Sequence, residues 1–324
     1  MRIVVADPIG NHGQGGAVWA LRQYVLGLRR LGHDVCVVER DEPVPGFDAV
    51  FNTSGMLAPE SIALVPVRVY LDLDPAFNQL WHEDGIDRRF EGHTHFVTVG
   101  QAIGTASCDV PTDGRRWIGT LPPVVLEEWP VAVEIETDAL TTVANLRAYG
   151  SVERENAHYG QKVHSLRRLI ELPRLTQERF VLAMDVHPDE RSDLAALAEN
   201  GWELVDPAQV AGTPDAYRHF VQGSRAEIGI AKSGYVHSRC AWFSDRSACY
   251  LASGRPVVAQ DTGFSRFVPT GEGLLAFDDE NGATAAVAEL RRDYARHAAA
   301  ARELAVEHFD SDLVLSRVLE QVCA

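Results

Sequence analysis

Residues 232–277 read KSGYVHSRCAWFSDRSACYLASGRPVVAQDTGFSRFVPTGEGLLAF. The apolar run AEIGIAK (226–232) leads into this stretch as a strand. A polar loop, a short helix, a buried strand VVAQ (257–260), a turn and a last strand GLLAF (273–277) follow. Ser244 stands where a helix N-cap belongs, so the free N–H groups of Asp245, Arg246 and Ser247 would point at the loop. Such a helix end favours an anion, and the Arg246 guanidinium suits bidentate phosphate contact. Gly254 ends the helix. Asp261-Thr262-Gly263 then forms a turn at the carboxyl edge of a parallel sheet, the edge where open α/β sheets bind ligands.

Moving outward, TDALTTVANL (137–146), FVLAMDV (180–186) and WELVDP (202–207) are further apolar runs, with helical stretches such as SDLAALAENG (192–201) between them. This alternation predicts one α/β sheet. The first half predicts a second. RIVVAD (2–7) runs into the glycine-rich PIGNHGQGG (8–16), and Val18, Leu21, Val25, Leu28 and Leu31 then recur at helical steps before Gly32 and the strand HDVCVVER (33–40). That is a β-α-β unit, continued by FDAVFNTS (47–54), VPVRVYLDLD (65–74) and THFVTVG (94–100). LPPVVLEEWP (121–130), with three prolines, reads as an extended linker. The expected organisation is therefore two Rossmann-like domains facing a cleft, over 1–130 and 131–305, with a last helix over 306–324. Asp310 or Ser311 would cap that helix, in which Leu313, Leu315, Val318 and Val322 lie roughly on one side.

The order aromatic-polar loop, short helix, A-x-G-x-P-V-V, D/G turn and G-x-G-L-L-x-F resembles the nucleotide-sugar half of GT-B glycosyltransferases. Cys240-Ala241-Trp242-Phe243-Ser244 looks like a divergent HCGWNS signature. TTVANL followed by YGQK (159–162), and DVPTDGRRWIGTLPPVVLEEWP (109–130), resemble a bacterial group of such enzymes. The resemblance implies transfer of a hexosyl group from a nucleoside diphosphate sugar, UDP-linked in many members, to a small-molecule acceptor. It implies no cofactor beyond that co-substrate and no required metal. It also implies that the diphosphate sits at the Ser244–Ser247 helix end, that the Asp261–Gly263 turn touches the sugar, and that the last helix often packs back on the first lobe. One departure is plain. The retaining group carries two glutamates flanking this helix, and those positions are Ala241 and Cys249 here. Retention or inversion is therefore not inherited. A sugar-nucleotide 2-epimerase and a catalytically silent nucleotide-binding scaffold are the alternative readings.

Lys162 and Lys232, each beside a glycine (Gly160, Gly234), are the expected diphosphate cations. In the first lobe His12 is a candidate base for an acceptor hydroxyl, since neutral imidazole suits that proton near pH 7. Gly13, Gly15 and Gly16 would let the backbone approach the acceptor. GNHGQGG is not a GxGxxG, which argues against a nicotinamide enzyme. Asp72-Leu73-Asp74 puts two carboxylates on alternate strand positions, where they could share a cation; Asp72 is read as an acceptor-side catalytic residue or a structural one. His93 and His95 lack a third ligand by spacing.

The chain of 324 residues has 46% hydrophobic and 23% charged residues, a globular composition of about two-domain length. Five scattered cysteines with no CxxC pair suggest neither a disulfide framework nor a thiolate metal site. The net charge of −16 repels phosphate backbones and anionic lipid. From this, nucleic acid and membrane insertion are expected to be absent, while a homo-oligomer is compatible. With no apolar run of membrane length and no leader-like start, a cytoplasmic location is expected.

Overall fold

The computed structural model describes residues 1–7, 14–154 and 157–323. Its first lobe is a six-stranded, all-parallel sheet of β1 (Arg2–Ala6), β2 (Asp34–Val38), β3 (Ala49–Thr53), β4 (Val67–Asp72), β5 (His95–Thr98) and β6 (Trp117–Gly119), in the order β2-β1-β3-β4-β5-β6. The second lobe contains β7 (Thr137–Asn145), the antiparallel hairpin β8 (Val152–Arg154) and β9 (Ala157–Tyr159), β10 (Phe180–Asp185), β11 (Trp202–Val205), β12 (Ser224–Gly229), β13 (Val257–Gln260) and β14 (Leu274–Phe277). Its main sheet is again parallel, in the order β11-β10-β7-β12-β13-β14. Both are doubly wound, and in the second the order reverses between β7 and β12, which makes a crevice at their carboxyl ends.

The strands are apolar on both faces because helices cover both. Ile3 and Val5 of β1 pack under the Gly15–Arg30 helix, while Val4 and Ala6 pack on the other side with Val50, Leu57 and Ile62. The carboxyl-terminal helix, Ser311–Val322, does cross back. Its Leu315, Val318 and Val322 belong to the first lobe's core. A π-helical turn, Ala305–Phe309, redirects the chain, and Asp310 caps the last helix through the Asp312 N–H at 3.0 Å. Gly27 allows the close approach of this helix, for a Cβ there would lie 2.5 Å from Leu315 Cδ1. The crossing segments run side by side: Val124 N–H donates to the Phe309 carbonyl (2.7 Å) and Ser311 N–H to the Val124 carbonyl (2.8 Å).

The lobes meet directly. Trp19 Nε1 donates to the Pro214 carbonyl at 2.7 Å, and Ala102 N–H to the Cys240 carbonyl at 3.0 Å. Gly100 and Trp242 form an antiparallel bridge between the lobes. Among the described residues no helix is long and apolar enough to cross a membrane.

Candidate active site

A cavity of about 670 Å³ opens between the lobes. One wall is the start of the Gly15–Arg30 helix, with Gly16, Ala17 and Ala20. The other is the carboxyl edge of the second sheet: Asn145 at the end of β7, Asp185 at the end of β10, and Asp206 just beyond β11. Asp245 and Arg246, which open the Asp245–Ala252 helix, complete it.

The cations are held in different ways. Arg246 Nε donates to Glu227 Oε1 at 2.6 Å, and its Nη1 to the Val143 carbonyl at 2.8 Å. Burial works against its charge, but the groups around it, Glu227 foremost, together leave the pKa above the ordinary arginine value. Glu227 is fully buried on β12, so this pair fixes the guanidinium beside the cavity. Lys162 is buried as well, and its ammonium donates to the Ile230 carbonyl. No carboxylate pairs with it among the described residues. Burial, then the nearby Arg246 and Lys232, drive its pKa well down. Glu227 opposes this only in part, and Lys162 stands behind Arg246 without lining the cavity itself; an anion at Arg246 would favour its charged form.

Lys232 is used otherwise. Its Nζ lies 3.1 Å from Asp74 Oδ1 of the first lobe, donates to Tyr149 and Tyr235, and sits 4.0 Å from the Tyr149 ring centroid. Burial lowers its pKa, and Asp74 opposes this. In this arrangement Lys232 joins the lobes and is not a free cavity cation. Gly234 serves the same contact, since a Cβ there would lie 2.6 Å from Phe77 Cζ of the first lobe.

The remaining expected residues are placed as follows. Asp72 does not reach the cleft. It is fully buried and accepts from Asn78 (2.6 Å), Gln79 (2.8 Å), Thr98 (2.8 Å) and the Asp74 N–H (3.1 Å). With its oxygens saturated, it organises the loop after β4; this corrects the catalytic expectation. The D-x-D also does not act as one unit, because Asp74 turns to Lys232. Asp261 is turned inward, accepting from Gly263 N–H (2.8 Å) and Ser265 Oγ (2.6 Å). Thr262 Oγ1 donates to the Trp242 carbonyl at 2.5 Å, and its own carbonyl accepts from Ala241 N–H. This turn clamps the 239–242 loop, where Arg239 and Ala241 have positive φ, and does not line the large cavity. Ser244 caps the helix by position, without a side-chain cap bond. Ser244 and Ser247 line a separate small pocket with Gly229 and Gln260. Gly15 and Gly16 do line the large cavity, but both also permit lobe contact: Cβ atoms there would lie 2.2 Å from the Thr213 carbonyl oxygen and 2.9 Å from the Tyr217 ring. His12 and Gly13 lie outside the described residues. Among those described, no group of three or more His, Cys, Asp or Glu side chains is arranged to hold a metal ion.

Asn145, Asp185 and Asp206 were not singled out from the sequence. The signal was there, since each is the polar residue that ends an apolar strand run, where ligands of such sheets bind.

No protein-family model and no curated protein matches the chain. Solved structures do. An alpha-glucosyltransferase in complex with UDP-glucose and DNA containing an abasic site superposes over 100% of both chains at 11% identity, with a TM-score of 0.68. AviGT4, a glycosyltransferase involved in avilamycin A biosynthesis, aligns with 99% of this chain and 97% of its own at 13% identity and a TM-score of 0.62. Anabaena HepE, in complex with UDP and glucose, aligns with 100% of this chain and 99% of its own at 13% identity and a TM-score of 0.62. The exclusion of nucleic acid drawn from net charge is corrected by the first of these, where the same fold is bound to DNA. A chain-wide charge sum does not describe one local surface. The chain has the two-lobed GT-B fold that these glycosyltransferases share.

Proposed function

We propose that the protein is a glycosyltransferase that moves a sugar from a nucleoside diphosphate sugar to an acceptor hydroxyl or other nucleophile. The observation that carries this reading is the interlobe cavity at the carboxyl edge of β7, β10 and β11, with Arg246 on its wall and the buried Lys162 behind Arg246. The two cations share a single buried carboxylate, Glu227, and a diphosphate would supply the further negative charge. UDP and UDP-glucose in neighbours of the same fold make UDP the first nucleotide to test.

In this reading the Arg246 guanidinium, oriented by Glu227, and the Lys162 ammonium stabilise the charge that develops on the departing diphosphate. Preorganised donors of this kind contribute about 3 kcal/mol each in the transition state. They supply positive charge without a required metal. The lobe contacts through Asp74–Lys232 and Trp19–Pro214 hold the two walls of the cavity together. His12 remains the proposed acceptor-side base, and a cytoplasmic location belongs to the same reading. The neighbours are transferases, which does not favour the 2-epimerase alternative.

Thermal-shift screening of UDP, GDP, ADP and dTDP and their glucose conjugates tests the reading. Stabilisation by one nucleotide series is expected. Product mass is then read with small alcohols and DNA as separate acceptor sets. No stabilisation by any nucleotide overturns the proposal, and a converted donor sugar without acceptor would establish the epimerase instead.

A further inference from the structure

A second, smaller pocket opens beside the large cavity and shares Ala20, Leu73 and Asp245 with it. Both lobes enclose it: Pro122 and Pro123 on one side, Trp242 and Phe243 on the other. Its volume is about 40 Å³. A single water needs about 10–15 Å³ on this measure, so the pocket admits a group of one or two heavy atoms and not a ring. Two polar groups line this apolar space. Tyr24, 2% exposed, has a hydroxyl with no hydrogen-bond partner among the described residues. Asp245 accepts only from backbone N–H groups at its own helix end, those of Asp245 and Arg246, and pairs with no other side chain in an ion pair among the described residues. One is a donor and the other an acceptor, and a buried orphan hydroxyl is costly unless a ligand satisfies it.

We infer that this pocket holds the hydroxymethyl group of a transferred hexose, with the Tyr24 hydroxyl donating to its oxygen and the Asp245 carboxylate accepting its proton. The inference rests on the nucleotide-sugar reading above. Four features support a donor sugar. The pocket adjoins the large cavity, it fits one short side group, its walls suit a CH₂, and its polar pair matches one hydroxyl. A pentose leaves the Tyr24 hydroxyl unpaired. A uronic acid brings a carboxylate against Asp245. Burial pushes the Tyr24 and Asp245 pKa values up, in keeping with groups that wait for a neutral partner. Asp245 thereby becomes a specificity residue, one helical turn before Cys249 on the same helix.

Calorimetric titration of UDP, UDP-glucose, UDP-xylose and UDP-glucuronic acid into the wild type, Tyr24→Phe and Asp245→Asn tests this. The wild type is expected to bind UDP-glucose about tenfold or more tighter than UDP-xylose, because a site built for a hydroxyl rejects the analogue lacking it. Tyr24→Phe should narrow the preference for UDP-glucose over UDP-xylose and leave UDP-xylose within about twofold, as expected when one of the two bonds to the hydroxyl is lost. Asp245→Asn should relax the rejection of UDP-glucuronic acid. UDP binding with equal affinity for the glucose and xylose donors overturns the pocket assignment alone. So does a Tyr24→Phe protein that keeps the wild-type preference. No binding of UDP or any of its sugars overturns this assignment together with UDP as the donor nucleotide. The wild-type comparison stands even if a variant fails to fold, a failure marked by loss of both donors together.

Discussion

Replacing Lys162 with methionine is expected to stabilise the free protein at neutral pH while weakening its hold on a nucleoside diphosphate. The residue is 7% exposed, with its ammonium bonded to the Ile230 carbonyl and no carboxylate in an ion pair with it among the described residues. In the unfolded chain this lysine keeps its proton up to its ordinary pKa of 10.5, whereas in the fold it loses the proton well below that. Between the two values the unfolded state binds more protons. Stability therefore rises with pH across that window, and the cost of this group is largest below its folded pKa. Methionine has similar length and no charge, so it removes the cost. It leaves the Ile230 carbonyl without its donor, an offset of about 1 kcal/mol. Relative to wild type, the variant should gain most at pH 7 and least near pH 10, as read by scanning calorimetry of the free proteins. The ligand effect has the opposite sign. A lost charge-assisted hydrogen bond costs about 1.5–3 kcal/mol, or roughly 10–150-fold in Kd for UDP. Wild-type binding should also take up protons, giving a binding enthalpy that depends on the buffer's ionisation heat, and the variant should lose that dependence. A wild-type Kd for UDP refutes the reasoning, as does a variant that loses more stability at pH 7 than at pH 10.

Three further perturbations separate anchoring from binding. Arg246→Ala should weaken UDP binding by about 1–3 kcal/mol and also destabilise the fold by about 3–5 kcal/mol, since Glu227 is left buried and unpaired. Adding Glu227→Gln should recover stability but not affinity, which chemical denaturation and calorimetry read separately; recovery of both would remove Arg246 from the site. Asp74→Asn breaks the pair with Lys232 across the lobes and should expand the free protein in small-angle scattering while lowering its denaturation midpoint, whereas unchanged dimensions would mean that this contact does not hold the lobes together. Leu315→Ala removes a fully buried side chain that the last helix contributes to the first lobe. Its expected cost is about 2–5 kcal/mol in denaturant unfolding, and a change under about 0.5 kcal/mol would contradict the packing.

Much of the architecture was legible because it rests on local signals. Apolar runs separated by helical periodicity indicate parallel strands covered on both faces, and the positions Ser244, Gly254 and Gly263 follow from cap and turn chemistry. The short edge strand Trp117–Gly119 and the paired strands Val152–Arg154 and Ala157–Tyr159 were missed, since three-residue strands carry too little periodicity to register.

By itself the sequence determined that two α/β lobes form, because strand, turn and helix preferences act over a few neighbouring residues. Only the tertiary structure decided which polar groups serve the carboxyl edge of the second sheet. Asp72 and Asp74 are two residues apart, yet one is saturated inside the first lobe and the other reaches Lys232, 158 positions away. Gly15 and Gly16 read as backbone room for a ligand, and although both line the cavity, a Cβ on either would also meet the opposing lobe. Lys162 and Lys232 look alike in the chain and differ only in whether a remote carboxylate arrives to compensate the buried charge. Burial and pairing of a charge are set by segments distant in sequence, so no local pattern can carry them.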